Sequence, residues 1–222
     1  DISATRYTGT DLTGALKMEP EKDPEKAMEI VQSEFQERWD QTWFDSYGFE
    51  NSYDFAVTEE LAEELQLEKV SDLAPYAGEL SFGVDNSWIH REGDGYDGFT
   101  EMYGLEFPNI HPMQIGLVYQ ALDSGDMDVV LAYSSDGRIA AFDLKILEDD
   151  KQFFPPYDTS MVVSNEVFRN NPELEEILPK LSGKISTDKM QELNYEADGK
   201  MIEPAVIARE FLEENHYFEE VE

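Results

Sequence analysis

The chain has 222 residues, 41% of them hydrophobic, enough to build one large domain or two small lobes around a substantial core. Its 16 Lys and Arg against 50 Asp and Glu leave a formal charge of -34, which repels phosphates and anionic membranes and excludes nucleic acid as a partner. Without a cysteine there is no disulfide, no thiolate metal site and no cysteine nucleophile.

So large an acid excess serves solubility or adaptation to high salt, where dense carboxylates stay hydrated and their repulsion is screened; the salt reading is the expectation. No apolar run approaches the ~18 residues of a membrane span. The chain opens on Asp1-Ile2-Ser3, with neither a signal peptide nor a lipid-carrying cysteine, so any export signal or lipid anchor is expected upstream.

In chain order, Asp23-Pro24 is a cap and first turn, and Ala27, Ile30, Val31, Phe35 and Trp39 follow at helical spacing, which predicts a helix from Pro24 to Trp39. Ser52 to Val57 alternates as a strand, and Thr58 caps a short acidic helix through Leu65. Leu80 to Val84 and Met127 to Tyr133 read as buried strands around a helix near Met113 to Leu122, an alternation that predicts an α/β fold with largely parallel pairing. Beyond Phe153-Phe154-Pro155-Pro156-Tyr157 comes a strand at Ser160 to Val163. Helices are then predicted near Pro172 to Leu181, Thr187 to Ala197 and Pro204 to Asn215, ahead of a frayed tail, Glu219 to Glu222. The double proline stiffens the connection between the halves, and a two-lobe molecule with a hinge fits this layout.

Few motifs carry chemistry. Gly93-Asp94-Gly95-Tyr96-Asp97-Gly98 has GxGxxG spacing, but its two aspartates oppose a pyrophosphate and no hydrophobic strand leads into it. It also lacks the ligand alternation and terminal Glu of a calcium loop, so the segment reads as a solvated turn. His90, His111 and His216 form no HExxH pattern, no GxSxG elbow occurs, and no catalytic, metal or cofactor constellation is expected. The chemical resource is aromatic: 11 Tyr, 13 Phe and 3 Trp, with Tyr7, Tyr53, Tyr133 and Tyr157 at strand ends or beside turns. Ring faces hold a quaternary ammonium, which has no hydrogen bond to donate, at ~0.5 to 2 kcal/mol per desolvated contact. A single tyrosine is more often half-buried core than ligand wall, and spacing alone does not make them converge.

Arg6-Tyr7-Thr8-Gly9-Thr10-Asp11-Leu12-Thr13-Gly14-Ala15-Leu16 resembles the substrate-binding proteins of Gram-positive betaine/carnitine/choline ABC transporters. Phe44 to Phe49, Met113 to Tyr119, Asp150 to Tyr157 and Leu193 to Gly199 resemble the same family in the same order, over nearly the whole chain. The resemblance implies a type II periplasmic-binding-protein fold with a hinged cleft between two lobes, lobe one being residues 1–50 plus 155–222 and lobe two residues 51–154. It implies binding without chemistry: a quaternary-ammonium osmoprotectant held in an aromatic cage of Tyr7, Tyr53, Tyr133 and Tyr157, with Thr10 at its polar end. Arg91 is either a clamp for a betaine carboxylate or a surface arginine among acids. No cofactor or metal is implied. The implied partner is an ABC permease at the extracellular face of a membrane or in a periplasm, with membrane attachment only through an upstream lipid anchor. A sensory domain that feeds a receptor is the alternative. In the family roughly 60 residues precede the first block and form the first strands and helices of lobe one, so lobe one is expected to be incomplete at its N-terminus.

Overall fold

The computed structural model describes residues 1–91 and 93–218, which leaves the tail Glu219 to Glu222 outside the described residues. Strand β1 (Ile2–Tyr7) runs directly into helix α1 (Thr8–Gly14). Helix α2 (Pro24–Trp39) starts where the Asp23 carboxylate accepts from the Glu25 and Lys26 amides, and it stops where Asp40 turns left-handed at φ 53°. Its Val31 and Phe35 pack with Leu12 and Leu16 on Trp43 of β2 (Gln41–Trp43) and on Val162.

Next come β3 (Tyr53–Thr58) and α3 (Glu59–Leu65), with the Thr58 hydroxyl accepting from the Leu61 amide. Strand β4 (Ser81–Asp85), helix α4 (Tyr96–Tyr103), β5 (Asn109–Met113), α5 (Ile115–Asp123), β6 (Val129–Tyr133), α6 (Gly137–Ala141) and β7 (Leu144–Leu147) follow. The chain then returns through β8 (Thr159–Ser164) to α7 (Asn165–Asn170), α8 (Leu174–Ile177), α9 (Thr187–Asp198) and α10 (Pro204–Glu214).

Two sheets result. The smaller has the order β1-β8-β2 and the larger β5-β4-β6-β3-β7. The expected parallel pairing holds only where β4 lies between β5 and β6. Every pairing in the smaller sheet is antiparallel, and so are those of β3 with β6 and with β7. The reason is connectivity. Strand β3 arrives from the smaller sheet and β7 leads back to it, so they run in opposite senses, whereas β4, β5 and β6 are linked by helical crossovers that restore direction.

Alternation sorts the larger sheet's side chains between two cores. Phe55, Val57, Phe82, Val84, Val129 and Leu131 face Trp88, Phe99 and Phe154, while Ala56, Val130 and Ala132 face Val118, Tyr119 and Leu122 of α5.

The connections between the sheets lie side by side. Asn51 N donates to the Tyr157 carbonyl at 3.2 Å, and Thr159 N donates to that of Phe49 at 3.1 Å, so the outgoing and returning segments form a short antiparallel ribbon. A third contact comes from α9, whose Gln191 and Asn194 amides donate to the Ser134 and Ser135 carbonyls at 2.6 and 2.8 Å.

Candidate functional site

All four singled-out tyrosines stand at or near strand ends: Tyr7 closes β1, Tyr53 opens β3, Tyr133 closes β6, and Tyr157 lies two residues before β8. Tyr53 and Tyr133 are directly opposed in the antiparallel register, which brings their ring centroids to 5.2 Å. Beneath them the Phe154 ring lies 5.7 Å from Tyr53 and joins the core of the larger sheet. The Tyr133 amide donates to the buried Tyr119 hydroxyl at 2.9 Å, which anchors the end of β6 to α5.

Arg91 ties this pair to Tyr157. Its guanidinium carbon lies 5.6 Å from the Tyr53 centroid, within cation–π range, and its Nη2 donates to the Tyr157 hydroxyl at 3.2 Å. Asp94 completes the group. It accepts from Arg91 Nε at 2.9 Å and Nη2 at 2.5 Å, and from the Tyr157 hydroxyl at 3.1 Å. The structure thus brings together Tyr53, Tyr133, Tyr157 and Arg91. Tyr7 is half-buried and Thr10 exposed, on the β1–α1 junction, and neither side chain has a ring contact or hydrogen bond to the other four among the described residues.

That junction still touches the site through Gly9. Its amide donates to the Pro156 carbonyl at 3.0 Å, and the same oxygen accepts from the Thr8 hydroxyl at 3.0 Å. Beside it a cavity of about 680 Å³ opens, walled by Gly9, Thr13, Arg91, Asp94, Phe153 and Tyr157. Tyr53 and Tyr133 are not among the residues that wall it.

Electrostatics keep the rings neutral and the arginine charged. Burial pushes the Tyr157 and Tyr133 hydroxyls upward, the first helped by Asp94 and the second by Tyr53. Burial pulls Arg91 down, but Asp94, together with Tyr157 and Tyr53, outweighs it and leaves its pKa raised. Below the rings, Asp54 is pushed up to about 7 by burial and by the charges of Glu50 and Asp149. On the connecting ribbon, burial also raises Glu50 and Asp158.

Asp94 is the residue that sequence reasoning missed, because the segment around it was taken as a solvated turn. Gly93-Asp94-Gly95 is indeed a turn, but Gly95 is also the N-cap of α4, and the Asp94 carbonyl accepts from the Trp88 indole at 2.7 Å. A side chain on Gly95 would collide with the Arg91 and Trp88 carbonyls, so the glycine is what lets the loop fold back on itself. The available signal was Arg91 and Asp94 three apart at the edge of a glycine-rich turn, a weak one in a chain of 50 acids. Among the described residues no group of three or more His, Cys, Asp or Glu is placed to hold a metal, and no helix is long and apolar enough to cross a membrane.

Two α/β sheets joined by paired crossing segments, with aromatic and charged side chains gathered where they meet, define the class of two-lobe α/β binding proteins. Residues 1–214 match the model for the substrate-binding domain of ABC-type glycine betaine transport systems, and the chain belongs to that family. It is 57% identical to a carnitine transport binding protein, OpuCC, of Listeria monocytogenes over 99% of this chain and 71% of the relative. It is 32% identical to a glycine-betaine-binding protein of Pseudomonas aeruginosa over 96% of this chain and 72% of that one. Among solved structures, one described as a glycine betaine/carnitine/choline ABC transporter superposes with a TM-score of 0.94 at 59% identity, over 99% of this chain and 80% of that one. Apo YehZ from Escherichia coli shares the fold at a TM-score of 0.80 and 22% identity, over 98% of this chain and 81% of that one. These relatives are transport binding proteins, not enzymes.

Proposed function

We propose that the chain captures a quaternary-ammonium osmoprotectant, glycine betaine, carnitine or choline, between two lobes and hands it to an ABC permease for uptake. The observation that carries this reading is the gathering of Tyr53, Tyr133 and Tyr157 from three separate segments, with the Arg91 guanidinium over the Tyr53 ring and hydrogen-bonded to the Tyr157 hydroxyl. A trimethylammonium head has only dispersion and cation–π attraction to offer, and phenol faces supply both.

In this reading residues 1–50 plus 155–222 form lobe one and residues 51–154 lobe two, with the ribbon at Glu50 and Asp158 as the hinge. Tyr7 and Thr10 belong to the lobe-one wall, and closure brings them onto a ligand seated on Tyr53 and Tyr133. Thr10 then serves the ligand's polar end and Arg91 its carboxylate, if it has one. Ligand stabilises the closed form through contacts that the open form lacks, and the closed form docks on the permease at the outer face of the membrane, tethered there by a lipid anchor. The names of the relatives, carnitine and glycine-betaine binders for transport, point the same way.

Isothermal titration with glycine betaine, carnitine, choline and proline tests the assignment. At least one quaternary amine should bind with measurable heat; heat from none of them refutes it.

A further inference from the structure

Two rings of the proposed cage are not empty-handed. Tyr53 and Tyr157 are each only 7% exposed, and the Arg91–Asp94 pair is part of what covers them. The guanidinium sits over Tyr53, while the Asp94 carboxylate takes the Arg91 fork and the Tyr157 hydroxyl. A cation on a phenol face with a carboxylate at its side reproduces the two ends of a zwitterionic quaternary amine.

Resting on the function proposed above, we infer that Arg91, held by Asp94, is an internal surrogate ligand that must leave the Tyr53 face when a quaternary amine binds, and that this exchange selects zwitterions over simple cations. Replacing one cation by another on the same ring gains little, so the balance falls to the fate of the displaced guanidinium. A ligand carboxylate gives it a second bidentate partner beside the ring it has vacated. Choline has no such group, and a cation pushed off its ring without a new partner raises the apparent dissociation constant. The pair has room to move, since its side chains are 40% and 18% exposed.

The test is the ratio of the choline to the glycine betaine dissociation constant, measured by titration in wild type, Arg91→Gln and Asp94→Asn. Removing the competing cation should tighten choline and cost betaine its clamp, which lowers the ratio by about threefold or more. Removing the carboxylate that holds Arg91 should free the fork for betaine and raise the ratio by a similar factor. Opposite movements in the two variants uphold the inference. A ratio that is unchanged in either variant, or that moves the same way in both, overturns it, since a merely structural loss would weaken both ligands together. Melting curves confirm folding, and Arg91→Met or Asp94→Ser replaces a variant that fails to melt cooperatively. If wild type binds no quaternary amine, the functional assignment itself falls.

Discussion

A methyl group added at Gly9 probes whether the sheet connections hold the site together. Placed on the backbone as it stands, the new Cβ lies 2.6 Å from the Pro156 carbonyl oxygen and 3.4 Å from Tyr157 Cε1. The first distance is shorter than side-chain carbons tolerate, and the obstacle is backbone, so β1–α1 and the Pro155–Tyr157 segment must separate by about 0.4 Å or more. Overpacking of this kind costs roughly 1–3 kcal/mol, and stretching the bonds that Gly9 N and Thr8 Oγ1 donate to Pro156 adds about 1. Gly9→Ala should therefore lose about 2–4 kcal/mol, which lowers Tm by roughly 4–15 °C in a chain of this size. Because Tyr157 follows the displaced carbonyl, affinity for a quaternary amine should fall by one ring face, roughly two- to thirtyfold. Gly14→Ala is the control, since its Cβ meets nothing within 4 Å at the end of α1, and it should be neutral or stabilising by up to about 1 kcal/mol. Scanning fluorimetry and titration calorimetry read both quantities. Wild-type behaviour of Gly9→Ala would refute the close approach, and an equal loss in Gly14→Ala would refute the contact as its cause.

Tyr133→Ala removes the ring that tilts against Tyr53 at 5.2 Å, and by calorimetry it should weaken every quaternary amine roughly two- to thirtyfold; unchanged affinity would take it out of the cage. Asp54 has a folded pKa near 7, above that of the free side chain, so the folded state holds the extra proton in between. Its contribution is full below about pH 4 and is lost as pH rises through about 7, so Asp54→Asn should raise Tm by several degrees at pH 8, at most about 4 kcal/mol, and by less at pH 5. A gain independent of pH would contradict this. The Thr159 hydroxyl is buried on the central strand of the smaller sheet without a partner among the described residues, so Thr159→Val should raise the melting temperature by roughly 2–4 °C, and a lower one would mean that the hydroxyl is satisfied.

Local signals were legible wherever backbone chemistry is local. The Pro24–Trp39 helix lies where its cap and apolar spacing put it, and Thr58 caps α3 as its position before the acidic run requires. Strand β5 escaped notice because Asn109-Ile110-His111-Pro112-Met113 carries a proline and no apolar alternation; its place is an edge, where a missing amide costs least. Helix α4 escaped because its start looks like a turn, and the direction of β3 and β7 escaped because strand sense depends on how the chain re-enters a sheet.

The amino-acid sequence by itself determined that this chain is an α/β protein of a known binding family and that four of its tyrosines stand at or near strand ends, because helical caps, period-2 alternation and ordered family blocks are all written along the chain. Only the tertiary structure decided which of 11 tyrosines meet. Register sets Tyr53 against Tyr133, and a loop closed by Gly95 carries Asp94 to Arg91 and Tyr157 from a distance of 63 residues in sequence. Such contacts follow from how sheets pair and cross, and no window of neighbouring residues contains that information.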